Sequence, residues 1–417
     1  MQLTRRQVLV AMAAAAAAPR RARAASASDR RFIFVYTMGG WDVTRVFAPL
    51  LGLATVATEP EAAVTTVGNL TFVDHPNRPS VRSFFEANHA RVCVVNGVYC
   101  PSISHSGALR TTWTARADAK TADWPTRIAS AQAEKFIVPY LVVGGPYYAG
   151  DNGVFVCRAG SANQLSGLVT GAALTEGDIP MPVPPGDSVS AIDRWLLSQA
   201  DRGGSDADSA RARAAQAYGV ALSRAGELKA LGDSIDLTSG PELSEQLDLG
   251  VRALATGLSR VVSLMHPRQN SLTAWDSHSL NDLTQNELFE SLFSDLSTLV
   301  AKLATTTDSD GNALADTTTI VVMSEMGRTP TLNASGGKDH WPYTSVMYIG
   351  GGFTGDRVVG SFDDEQYGNP VDLMTGEDSA AGSLLSVDIM GATLLRMADV
   401  DPAAEGIDSD AIEGLLA

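Results

Sequence analysis

Residues Phe32-Ile33-Phe34-Val35-Tyr36 are apolar without a break and stop at Gly39-Gly40. A strand with one face in water alternates apolar and polar residues, so this unbroken run predicts a strand over 31–36 covered on both faces. Stretches 92–96, 136–143, 318–324 and 345–349 have the same texture, and a helical stretch at 283–303 leads into the strand at 318. Asp308-Ser309-Asp310-Gly311-Asn312 closes that connection, since it lacks the full acidic loop of a calcium-binding EF-hand. From Gly186 to His266 the chain is rich in Ala and Leu with spaced charges, which predicts helices over 188–200, 206–231 and 242–265. The expectation is an α/β fold, a mostly parallel central sheet between helical layers. Residues 28–417 would form a single domain, with a helical layer or insertion at about 186–266. In such sheets ligands collect at the carboxyl ends of the strands.

The N-terminus reads as a leader. Thr4-Arg5-Arg6-Gln7-Val8-Leu9 is a twin-arginine pattern, and an alanine-dominated run follows to Ala18. Ala22-Arg23-Ala24 and Ala25-Ser26-Ala27 offer small-residue cleavage points. This predicts a signal peptide over 1–27, the Tat export machinery as a partner, and a periplasmic or extracellular protein. The apolar run is shorter than the roughly 20 residues a spanning helix needs, so no stable membrane span is expected after cleavage. Loss of the leader removes five arginines and no acid, taking the formal charge from −16 to −21. So acidic a surface disfavours nucleic acid and anionic lipid, which are bound through Lys and Arg. An anionic substrate would need local positive charge, most naturally a metal ion. Three cysteines, Cys93, Cys100 and Cys157, give no metal-binding pair; Cys93 reads as a small buried hydrophobe, and a Cys100–Cys157 bridge stays open.

Four segments next to predicted strands carry chemistry. Thr37-Met38-Gly39-Gly40-Trp41-Asp42 puts Asp42 at a strand end, as a helix cap or as a ligand. Cys100-Pro101-Ser102-Ile103-Ser104-His105 opens a helix expected to run through Trp113. Its serines are N-caps or, in the positive field of a helix start, stabilised nucleophiles. In Trp275-Asp276-Ser277-His278, an Asp and a His two apart on extended chain point the same way and can grip one cation. Ser324-Glu325-Met326-Gly327-Arg328 and Lys338-Asp339-His340-Trp341 bring an acid, an arginine able to fork a tetrahedral anion, and a further Asp-His pair. The plainer alternative there is a local Glu325–Arg328 ion pair. Asp74-His75-Pro76 reads as turn chemistry.

Taken in order, Gly39-Gly40-Trp41-Asp42, Ser104-His105, Trp275-Asp276-Ser277-His278 and the run from Ser324 to Trp341 resemble a Tat-exported family, the domain of unknown function fifteen-hundred-and-one. That family is itself similar to the alkaline phosphatase and sulfatase superfamily. The resemblance implies an alkaline-phosphatase-like fold. It implies metal ligands at Asp42, Asp276, His278, Glu325 and His340, with Asp339 beside them, and a nucleophile at Ser104 or, second, Ser102. Arg328 would steady the ester oxygens. Where the superfamily commonly has Asp-His this chain has Glu325-Met326, and the sulfatase signature around a convertible cysteine is absent. The cofactor would be a divalent ion, Zn²⁺, Mn²⁺, Mg²⁺ or Ca²⁺. The function expected is metal-dependent hydrolysis or transfer at phosphate or sulfate esters, on a small-molecule or polymer substrate. The alternative is a non-catalytic binding or scaffold protein that retains a degenerate metal site.

Overall fold

The computed structural model describes residues 27–159, 239–268 and 273–416, with scattered positions between 165 and 228. Residues 1–26 of the leader expected over 1–27, and most of the helices expected over 188–200 and 206–231 in the 186–266 stretch, lie outside the described residues.

The strands in chain order are β1 (Arg31–Thr37), β2 (Ala63–Val67), β3 (Leu70–Asp74), β4 (Val92–Tyr99), β5 (Tyr140–Val142), β6 (Val156–Arg158), β7 (Val261–His266), β8 (Thr318–Met323), β9 (Gly327–Arg328), β10 (His340–Trp341), β11 (Tyr343–Gly350) and β12 (Arg357–Val359). Eight of them form the central sheet in the order β12-β4-β11-β8-β1-β7-β5-β6. β1 pairs in parallel with β7 and with β8, and within this sheet only β11 runs against its neighbours. The expected α/β class with a mostly parallel sheet is what the chain adopts.

β1 shows why the apolar run is unbroken. Phe32, Phe34 and Tyr36 enter one apolar core, while Ile33 and Val35 enter the other. The core that takes Ile33 and Val35 is closed by α1 (Pro79–Asn88), α4 (Leu243–Ala255) and α5 (Asn281–Thr305); the core that takes Phe32, Phe34 and Tyr36 by α2 (His105–Thr114), α3 (Trp124–Ser130) and α6 (Val387–Met397). Two predicted elements are corrected. The helix expected over 242–265 ends at Ala255, and Val261–His266 is an inner strand of the sheet. Its Val-Val start favours extended chain, and the turn at Gly257 (φ +69°) separates it from the helix. The strand expected over 136–143 is only Tyr140–Val142. The three cysteines are buried and free, so no Cys100–Cys157 bridge forms.

The core also places the site. Trp41 and Trp275 each precede a candidate acid, and both pack on Phe289 of α5, with ring centroids 6.1 and 4.9 Å away. Gln285, one turn earlier, accepts the Asp42 N–H (2.8 Å) and donates to the Trp275 carbonyl (3.0 Å). Phe289→Ala is expected to cost about 3–5 kcal/mol through the cavity it leaves. A urea titration should show a lower midpoint with an unchanged slope.

Candidate metal centre

The parallel strands β1, β4, β7 and β8 all end at one edge of the sheet, where β11 begins, and the predicted segments meet there. Two glycines let them approach. Gly39 has φ +120°, and a Cβ on it would lie 2.6 Å from the Asp276 nitrogen. A Cβ on Gly337 would lie 2.0 Å from the His278 carbonyl carbon. The 275–278 segment is therefore held between the end of β1 and the 336–340 loop. Trp275 N donates to Met38 O (3.0 Å), and Lys338 N donates to Ser277 O (3.0 Å). Asn333 ties off the loop, with its amide donating to His278 O (3.0 Å) and Asp339 Oδ1 (3.1 Å).

Three imidazoles converge on the Asp276 carboxylate. His105 Nε2 lies 3.3 Å from Asp276 Oδ2, and His278 Nε2 and His340 Nε2 lie 3.2 and 3.6 Å from Oδ1. The two latter nitrogens are 3.0 Å apart. Each ring is anchored on its far side: His105 Nδ1 on Glu325 Oε1 (2.9 Å), His278 Nδ1 on Asp339 Oδ1 (2.8 Å), and His340 Nδ1 on the Ile103 carbonyl (2.6 Å). Carboxylate and carbonyl oxygens accept, so each Nδ1 carries a proton, and a ring that is neutral turns its Nε2 lone pair inward. Two such lone pairs at 3.0 Å repel unless a proton or cation lies between them. His105 Nε2 is buried without a hydrogen-bond partner. Outward Nδ1–H bonds with inward Nε2 atoms are the arrangement that metal-ligating histidines have. His105, Asp276 and His340 form a ligand group of suitable spacing, and His278 adds a fourth donor. The residues fit a divalent ion.

The electrostatics follow. The Glu325 hydrogen bond raises the His105 pKa, whereas burial lowers that of His340. Burial pushes the Asp276 carboxyl up, but Arg328, with Nη2 at 2.6 Å from Oδ1, outweighs it and the net shift is down. The His278 contact lowers Asp339.

Asp276, His278 and His340 are thus brought together. Glu325 and Asp339 stand one step back, each holding an imidazole. Glu325 also accepts the Gly39 N–H (2.9 and 3.1 Å). Asp42 is corrected as a ligand: it is buried among Lys338 Nζ (2.9 Å), Asn281 Nδ2 (2.8 Å), Arg45 Nε (3.3 Å) and Thr44 Oγ1 (2.7 Å). Arg328 is corrected as an anion clamp. Its buried guanidinium donates to Gly39 O, Gly40 O (3.0 Å), Lys338 O (3.0 Å) and Asp276, and it pairs with Asp276 rather than Glu325. Ser104 is the N-cap of α2, accepting from Gly107 N (3.4 Å), and Ser102 Oγ accepts from Ser104 N (3.3 Å). His75 does turn work, accepting from Asn77 N (3.1 Å). The residue that sequence reasoning passed over as a ligand is His105. Its signal was position: the first residue of a helix that follows a parallel strand, in a chain with six histidines.

Residues 190–391, just under half of the chain, match the model of a family described as protein of unknown function (DUF1501). The match takes in Asp276, His278, Glu325, Arg328, Asp339 and His340, and bears out the family resemblance read from the sequence. No curated protein matches the chain. Among solved structures, the PsFucS1 sulfatase from Pseudoalteromonas sp. is 11% identical over 93% of this chain and 72% of that chain, with a TM-score of 0.37. The phosphonate monoester hydrolase of Agrobacterium radiobacter is 12% identical over 92% of this chain and 77% of that chain, with a TM-score of 0.36. Likenesses this loose carry no information about chemistry.

Gly337→Ala must push the 336–340 loop away from His278, at a cost of about 1–3 kcal/mol. Zn²⁺ affinity measured by competition with a chelating dye should fall about 10-fold or more while the circular dichroism spectrum is kept.

Proposed function

We propose that this chain is an exported metalloprotein whose divalent ion is held by His105, Asp276, His278 and His340, and that it hydrolyses or transfers phosphate or sulfate esters. The observation that carries the reading is the set of three imidazoles anchored at Nδ1 with Nε2 turned to one carboxylate. Three imidazoles and one carboxylate suit Zn²⁺ or Mn²⁺ better than Mg²⁺ or Ca²⁺, which prefer all-oxygen shells. A bound ion of this kind supplies Lewis acidity at an ester oxygen.

The chain's own residues supply the rest. Ser104 is exposed and next to His105, so a hydroxyl and a metal ligand share the start of α2. The helix field favours negative charge there, which suits an attacking alkoxide. Ser102, with its hydroxyl 3.4 Å from that of Ser104, is the second candidate. The acidic chain offers little other attraction for an anionic ester, which in a cell envelope would be a polymer or imported fragment. The twin-arginine leader supports Tat export, and among the described residues no helix is long and apolar enough to cross a membrane.

Arg328 favours a second reading, a binding protein with a non-catalytic centre, because its donors are spent on Gly39, Gly40, Lys338 and Asp276. Zn²⁺- or Mn²⁺-loaded protein should turn over aryl phosphates or aryl sulfates. Ser104→Ala should lower that rate by about 10³-fold or more with metal content and melting temperature unchanged. Metal-loaded protein that is inert across both ester classes would support the binding reading instead.

Metal binding should also depend on pH. The Glu325 contact makes His105 hold its proton to higher pH than an ordinary imidazole, and an ion must displace that proton. Affinity should therefore rise with pH through and above the ordinary imidazole range, and calorimetry in buffers of different ionisation enthalpy should register proton release. Affinity that is flat across that range would count against His105 as a ligand.

A further inference from the structure

Beside the proposed centre lies a second position for positive charge, and the chain fills it itself. Asp42 and Lys338 are fully buried, and their charged atoms are 2.9 Å apart. Lys338 Nζ also donates to Thr44 Oγ1 (2.9 Å). Its nest is a carboxylate oxygen and a hydroxyl oxygen, the hard donors that a small divalent cation also takes. Burial pushes the Asp42 carboxyl up, but Lys338 and Arg45 outweigh it and hold it well below the usual carboxylate range.

We propose that Lys338 is a built-in cation that occupies the position a second metal ion would take, so that the chain binds a single divalent ion. The claim rests on the centre proposed above and adds the number of ions to it. An ion entering the Asp42 nest would have to expel a fully buried ammonium and meet the Arg45 guanidinium, whose Nε is 3.3 Å from Asp42 Oδ2. Neither cation has an easy exit. Lys338 is held through its own backbone, with N–H on Ser277 O (3.0 Å) and C=O receiving Arg328 Nη1 (3.0 Å). Arg45 Nη2 is paired with Asp282 (2.5 Å).

The same backbone bonds tie the 336–340 loop to the centre whatever the side chain at 338. Ser277 lies between Asp276 and His278, Arg328 holds Asp276, and Asp339 and His340 follow Lys338 directly. These backbone bonds hold the loop that brings His340 to the other ligands, and a substitution of the Lys338 side chain keeps them.

The test is a count of Zn²⁺ per chain, by equilibrium dialysis and elemental analysis of the full-length mature protein. Wild type should saturate at one ion. K338A, which vacates the nest but keeps Asp42, should saturate at two. D42N/K338A, which removes both charges so that neither is left buried alone, should return to one. Two ions in wild type, or folded K338A that stays at one, overturns the proposal. Should K338A not fold, two ions in wild type against one in the double variant still overturns the proposal, and K338S, which also vacates the nest and keeps Asp42, takes the place of K338A in the count with the same two outcomes. Wild type that binds no ion removes the centre itself, a failure of the functional reading that the count separates from the other outcomes.

Discussion

Two imidazole nitrogens 3.0 Å apart, whose lone pairs face each other when both rings are neutral, are the constraint around which this end of the molecule is built. The rings cannot rotate out of that conflict. Their opposite nitrogens are bound to the Asp339 carboxylate and the Ile103 carbonyl, and those groups are fixed by the loops that carry them. A third ring, His105, is turned inward in the same way by Glu325. Glu325 is in turn held by the backbone of Gly39 at the end of β1. The fold thus supports an arrangement of donors that is unfavourable without positive charge and favourable with it.

Positive charge of two kinds meets that need. Arg328 and Lys338 are fully buried basic side chains, each paired with an aspartate, and both are tied to the loop that follows β9. Arg328 reaches Asp276 and the carbonyls of the β1 turn, so its role is to hold the acid at the centre of the ligand group. Lys338 reaches Asp42, which takes that acid out of the ligand set. Buried ion pairs are costly to break because the surviving partner is left unpaired. These pairs therefore act as fixed points, and what remains exposed at the edge is a group of imidazoles and a serine-capped helix start. The aromatic packing beneath, Trp41 and Trp275 on Phe289, sets the height at which the two acid segments emerge.

Much of this was legible in the sequence, for physical reasons that differ by element. β1 was plain because a strand buried on both faces has no polar position to hide it. β7 was not, because a short apolar strand directly after an Ala- and Leu-rich helix has no periodicity of its own to mark it. Asp276, His278 and His340 were legible as Asp-His pairs in a chain poor in histidine. His105 was masked by the serines before it, which drew the reading toward a nucleophile. The fates of Asp42 and Arg328 could not be read at all. Whether a strand-end acid meets a metal or a lysine depends on a contact between segments distant in the chain, and whether an arginine is free depends on carbonyls that any residue can present.

The most direct measurement of the central claim is X-ray absorption at the metal edge of the Zn²⁺-loaded protein. The account predicts a four-coordinate shell of nitrogen and oxygen at about 2.0–2.1 Å. It also predicts the outer-shell scattering of three imidazoles, diminished by one ring in each of H105A, H278A and H340A. An all-oxygen shell, or a spectrum that none of the three substitutions changes, would contradict it.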